Sequence, residues 1–114
     1  MTVTAQQVRE VALSLPRTTE HLVRERVKFR VGSLVYVALS QDETVMGFAY
    51  PKEERLALIA SEPEKFHLPV KSDERYNWIR AWLAALDRAE MTELVIDAWC
   101  MVVPKRVATA HLHG

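Results

Sequence analysis

From Val23 to Val31 the chain alternates residue by residue, with Val23, Glu25, Val27, Phe29 and Val31 set against Arg24, Arg26, Lys28 and Arg30. A period of two belongs to extended backbone, because successive side chains on a strand point to opposite faces. The run therefore predicts a strand over 23–31 with four cations on one face, spaced about 6.6 Å apart. Gly32-Ser33 supplies a tight turn, and Leu34-Val35-Tyr36-Val37-Ala38-Leu39 is rich in strand formers, so the two runs read as a hairpin. Gln41-Asp42-Glu43 breaks the apolar run before Val45, Met46 and Phe48 resume it. A third antiparallel strand over 44–50 completes a meander at low loop cost.

Helical signals flank this meander. Thr4 followed by Gln7 is a capping-box signature, and Ala5, Val8, Val11, Ala12 and Leu15 recur at helical spacing until Pro16. Pro51 suits a first helical turn, Glu53 and Glu54 favour its positive end, and Leu56, Leu58, Ile59 and Ala60 supply a packing face up to Ser61. Residues 65–68, before Pro69, read as a brief strand, and residues 70–77 as an exposed polar loop. Periodicity leaves 78–86 open: Trp78, Trp82 and Leu86 fit a helix, whereas Trp78, Arg80 and Trp82 opposite Ile79, Ala81 and Leu83 fit a strand. Met91, Leu94, Val95, Ala98, Trp99 and Val102 then mark a last helix that Pro104 stops. Lys105-Arg106 opens a tail, of which residues 107–114 are expected to be flexible.

The 114 residues make one domain, 1–114, and a hydrophobic share of 49% is ample for its core. Lys plus Arg number 15, as do Asp plus Glu, so whole-protein charge attracts neither nucleic acid nor an anionic membrane and any such affinity must be local. A single cysteine, Cys100, closes no intrachain disulfide, and the N-terminus lacks the basic and apolar regions of a signal peptide. A cytoplasmic location is expected. The apolar runs, about six residues long, fall far short of the roughly 20 that a membrane helix needs.

Three further stretches carry a resemblance to a known family. The stretches Phe48-Ala49-Tyr50-Pro51-Lys52-Glu53-Glu54-Arg55, Ser72-Asp73-Glu74-Arg75-Tyr76-Asn77-Trp78 and Asp97-Ala98-Trp99-Cys100-Met101-Val102-Val103-Pro104-Lys105-Arg106, with Leu15-Pro16 after the first helix, resemble the MmcQ/YjbR-like family over nearly the whole chain. The resemblance implies an α+β fold: an antiparallel sheet of about five strands with helices packed on one face, in the order α-β-β-β-α-β-β-α, similar to the frataxin-like sandwich. It also implies that the open stretch at Trp78 is a strand, with Trp78 and Trp82 on one side of the sheet. The family is described as having a double-wing DNA-binding shape, which implies DNA binding on the strength of shape alone. Two positions depart from its pattern, since Ser33 follows Gly32 where lysine is common and Cys100 follows Trp99 where arginine is expected. Each departure removes a cation.

The candidate site is the basic row. Arg24, Arg26, Lys28 and Arg30 would contact phosphates, with Lys105 and Arg106 extending the surface. The same pattern also fits an outer edge strand that uses cations to block aggregation while their stems cover apolar neighbours. Trp78, Trp82, Trp99 and Tyr76 would stack on bases if exposed beside Arg75 and Arg80, although core packing is the plainer fate. For Trp99, within the last helix's apolar stripe, burial stabilises the fold by on the order of 2 to 3 kcal/mol.

Cys100 lies among apolar residues, where a thiol has a raised pKa and little reactivity. His111 and His113 offer only two metal ligands, and Glu20-His21 has no third partner, so no metal site is expected. No phosphate-binding glycine loop, nucleophile elbow or zinc helix occurs, and neither catalysis nor a cofactor is expected. The expected function is weak nucleic-acid binding, above all to DNA, through the basic strand. The alternatives are a protein-interaction module and a small-ligand domain whose pocket lies beneath the 70–77 loop.

Overall fold

The computed structural model describes residues 2–113, and these form six strands and four helices. Helix α1 (Ala5–Ser14) starts as its sequence signals: Gln7 N donates to Thr4 Oγ1 at 3.2 Å and Thr4 N donates to Gln7 Oε1 at 3.0 Å, closing a capping box. Ala5, Val8 and Ala12 form its buried face, and extended backbone at Leu15 ends it before Pro16.

The strand expected over 23–31 begins only at Arg26, because Val23 is the last residue of a preceding strand and Arg24 and Glu25 form a turn. Strand β1 (Thr18–Val23) turns back through Arg24 and Glu25 into β2 (Arg26–Val31), with Val23 paired to Arg26. Both turn residues have positive φ, 51° and 65°, as a type I′ turn requires. That turn normally carries Asn and Gly, so its chemistry is invisible in an Arg-Glu pair, and the alternation simply runs through it. The polar stretch ahead of the turn is a strand because it lies at the sheet edge. It is fastened to α1 by the Arg9–Glu20 ion pair at 3.0 Å and, through Thr18 Oγ1, to the Tyr36 hydroxyl at 2.8 Å.

Strand β3 (Leu34–Leu39) follows Gly32, whose φ of 60° suits the turn. The β2–β3 register slips at Phe29/Arg30: Phe29 pairs with Val37, but Arg30 pairs with Val35. The slip is a β-bulge that leaves Tyr36 unpaired, so Tyr36 and Val37 are both buried although they are neighbours in sequence. Strand β4 (Val45–Ala49) is buried throughout at the sheet centre. After helix α2 (Lys52–Ser61) come a two-residue strand β5 (Phe66–His67), a 3-10 turn at Lys71–Asp73 and β6 (Trp78–Trp82). The open stretch at Trp78 is therefore a strand. All pairings are antiparallel in the order β1-β2-β3-β4-β6-β5, so six strands stand where about five were expected.

Helix α3 (Arg88–Cys100) begins where Asp87 Oδ1 accepts from Glu90 N at 2.8 Å. Its Met91, Val95, Ala98 and Trp99 join Val8 and Ala12 of α1 and the sheet residues Phe29, Val37, Met46, Phe48 and Ile79 in one core. Residues 105–113, expected as a tail, form helix α4 (Lys105–His113). Pro104 ends α3 but its carbonyl accepts from Val107 N and Ala108 N, which starts the new helix. Val107 and Ala108 pack against the core, and the His111 ring meets Trp99 edge-on at 5.2 Å. Among the described residues, no helix is long and apolar enough to cross a membrane.

The Arg-Glu turn gives a stability prediction. Replacing Arg24→Asn and Glu25→Gly together relieves left-handed strain at two L-residues, and a rise of about 1 kcal/mol in unfolding free energy is expected. Urea denaturation of the double variant measures it, and an unchanged midpoint refutes the turn assignment.

Candidate nucleic-acid interface

Strand register places one line of residues across the whole sheet. His21 pairs with Lys28, Lys28 with Ala38, Ala38 with Gly47, Gly47 with Arg80, and Arg80 with His67. Residues two apart on a strand share a face. Arg26 and Arg30 therefore flank Lys28, and Trp78 and Trp82 flank Arg80, all on the face opposite the core. The two smallest side chains occupy the middle of the line, between a lysine on β2 and an arginine on β6.

A cleft of about 700 Å³ opens on this face, with Arg26, Lys28, Ala38, Gly47, Trp78 and Arg80 in its lining. The 70–77 loop supplies Val70, Asp73, Tyr76 and Asn77 to its rim. Among the described residues, Arg26, Lys28, Arg30 and Arg80 form no ion pair, and Asp73 is the one carboxylate that lines the cleft.

The four expected strand cations are thus separated by the fold. Arg26 and Lys28 face the cleft, whereas Arg24 sits exposed in the turn. Arg30 is half-buried on the same sheet face but turned toward β1, where Nη2 donates to His21 Nδ1 at 3.2 Å. Because a guanidinium only donates, His21 Nδ1 is the acceptor of that bond, and its Nε2 lies 2.9 Å from Thr19 Oγ1. Thr19 Oγ1 closes the circuit on the Arg30 carbonyl at 3.4 Å. Lys105 and Arg106 lie in the first turn of α4 and do not line the cleft.

The aromatic residues separate as well. Trp99 is fully buried, while Trp82 is 46% and Tyr76 52% exposed. Trp82 stacks on His67 at 4.8 Å, and the Arg75 guanidinium lies 4.9 Å from the Tyr76 ring centre. Trp78 is half-buried and lies against Gly47, where an added Cβ would come within 2.7 Å of its Nε1. Glycine at 47 is what lets the indole sit down in the cleft.

Arg55 holds the rim. Buried to 9% exposure, it donates Nη1 to the carbonyls of Tyr76 at 3.0 Å and Trp78 at 3.1 Å, and Nη2 to that of Glu74. Lys52 adds a backbone bond to Asn77 Oδ1 at 3.0 Å, so the start of α2 anchors the loop. Sequence reasoning missed Arg55, and it met Arg80 only as a neighbour of the tryptophans. The available signal for Arg80 was the Trp-Arg-Trp alternation, once that stretch is known to be a strand.

A model of the YjbR family matches residues 13–101. The chain belongs to the YjbR family. Its fold is similar to the crystal structure of Deinococcus radiodurans protein DR2400, a DUF419 protein, with a TM-score of 0.77 over 98% of this chain and 89% of that one. Identity is 19%, so the likeness is one of fold. Comparison with curated proteins yields no match.

Cys100 and His67 are among the groups of this YjbR domain whose acidities are shifted. Burial, with Asp97 adding to it, pushes the Cys100 thiol up. Burial and then Arg80 hold the His67 imidazole below the ordinary histidine range. The folded domain therefore takes up a proton at His67 less readily than the unfolded chain does. Its contribution to stability is full above the ordinary histidine pKa of about 6.5 and is lost as the pH falls below it. His67→Phe, which preserves the stack on Trp82, is expected to narrow the difference in urea midpoint between about pH 7.5 and 5.5. Gly47→Ala in a Trp82→Phe background is expected to drive the Trp78 indole outward, with a red-shifted emission and about 1 kcal/mol or more of lost stability. Unchanged emission would contradict the contact.

Proposed function

We propose that this YjbR-family domain binds nucleic acid weakly across the open face of its sheet. The observation that carries the reading is that Arg26, Lys28 and Arg80 face one cleft without ion-pair partners, while the chain as a whole is neutral. Cations that lack carboxylate partners are available to displace the counterions of a phosphate backbone. Arg30 adds a fourth positive charge beside Lys28, held in place by His21. Compared with the sequence-based expectation, Arg80 takes the place of Arg24, Lys105 and Arg106. The reading carries with it a cytoplasmic location, DNA as the leading partner and no catalytic step.

The cleft also favours a second reading, a small anionic ligand, because the loop residues Val70, Asp73, Tyr76 and Asn77 give the open face a wall. Its volume falls in the range of about 300–1,000 Å³ usual for ligand sites. Concentration-dependent thermal stabilisation by a small anion, with no response to an oligonucleotide, would favour this alternative.

Salt titration tests the leading reading. With four phosphate contacts, the logarithm of the binding constant is expected to fall with log salt at a slope of about −2.8 for a single strand or about −3.6 for a duplex. Replacing Arg26, Lys28, Arg30 and Arg80 by Gln is expected to flatten that slope and abolish binding at about 0.15 M salt. Binding that survives the four substitutions, or that ignores salt, shows that these cations do not carry it and ends the proposal.

A further inference from the structure

We infer that the cleft is a base-stacking subsite, so that the nucleic acid taken by the open face is single-stranded and seats an unpaired base against Trp78. The inference rests on the nucleic-acid reading above and adds to it the strandedness of the ligand and the residue that reads it.

Three observations converge on it. First, the cations bracket a hollow. Lys28 and Arg80 belong to β2 and β6, three strand steps apart and so about 14 Å from one another along the line. Between them stand Ala38 and Gly47, which leave the sheet surface low at its centre. A phosphate chain held at both sides thus spans a depression with room for a planar group.

Second, an aromatic ring occupies that depression. Trp78 lines the cleft half-buried, resting against Gly47. A large ring that is only half-buried on a polar, cationic face leaves apolar surface for a ligand to cover, and base–aromatic stacking needs no particular sequence. Tyr76 at the rim, with Arg75 beside its ring, offers a second planar surface.

Third, the site has walls. The loop over residues 70–77 borders the cleft, and Arg55 holds the Glu74, Tyr76 and Trp78 carbonyls in place. In a duplex the faces of the bases are already stacked on one another. Only an unpaired base has a face to offer Trp78, and only a flexible strand can dip one into a walled cleft.

Oligonucleotides of one length, at one salt concentration, separate the possibilities. An oligothymidylate strand is expected to bind at least about tenfold more tightly than a strand of abasic deoxyribose phosphates, and to quench the emission of the Trp82→Phe protein. It is also expected to bind more tightly than a thymidine–adenosine duplex. Trp78→Leu is expected to lose the preference for the base-bearing strand while keeping the salt slope, which shows that the variant is folded and its cations intact. Equal binding of abasic and base-bearing strands, or preference for the duplex, overturns the stacking subsite and leaves phosphate binding by the face standing. Thymidine monophosphate binding as tightly as the oligonucleotide overturns the single-strand assignment in favour of a free nucleotide. No binding of any strand, by protein whose urea transition is intact, overturns both this inference and the reading beneath it.

Discussion

Trp99 is the contact on which the layering of this domain depends. Its ring is fully buried on α3, and its indole nitrogen donates to the Pro16 carbonyl at 2.9 Å, which joins the last turn of α3 to the chain leaving α1. That hydrogen bond satisfies the one polar atom of the largest core side chain, so the ring is buried without an unpaired donor. With α1 and α3 locked side by side, their apolar stripes cover Phe29, Val37, Met46, Phe48 and Ile79 together. Helix α4 then lies against the outside of the same tryptophan through His111. Because the core is gathered on one face, the opposite face is left to cations, small residues and the tryptophans of β6.

The character of that opposite face follows from the pleat. Once Phe29 must point into the core, Lys28 and Arg30 must point away from it. Once Ile79 and Ala81 are buried, Trp78, Arg80 and Trp82 lie on the other side. Among the described strands the bulge at Tyr36 is the one break in register, and there the extra residue is turned inward, its hydroxyl meeting Thr18 and the Ala12 carbonyl. Burial of one face therefore assembles the cations of β2 and β6 on the other, across strands about fifty residues apart in the chain. The depth of the cleft has a separate origin, in glycine and alanine on the central strands and in Arg55, whose three backbone acceptors tie the loop to α2.

Much of the fold was legible because its signals are local. The Thr4–Gln7 capping box, the apolar positions of α1 and α3, and the runs that became β3 and β4 each report their structure within a few residues. The errors arose where local signals are silent. A type I′ turn built from Arg24 and Glu25 has no glycine or asparagine to announce it, so the strand that begins at Arg26 reads as beginning at Val23. Nothing in Thr18 to Leu22 announces a strand, because an edge strand held by an ion pair and a tyrosine hydroxyl needs little apolar surface. Helix α4 was hidden by Pro104, a residue that ends one helix and begins the next with equal ease.

Sequence alone determined the first helix and the long apolar one at 88–100, the antiparallel meander that follows Arg26, and the alternation that sends Arg26, Lys28 and Arg30 to one side of a strand, since each depends on spacing between near neighbours. Tertiary structure alone decided which cations share a site. Arg80 joins Lys28 only through three successive strand registers, Arg30 is held beside it by His21, and Arg24 is carried off in a turn. Gly47 gains its meaning only when Trp78 lies against it. Registers and packing are relations between distant segments, set by the burial of a common core, and no reading of either segment by itself contains them.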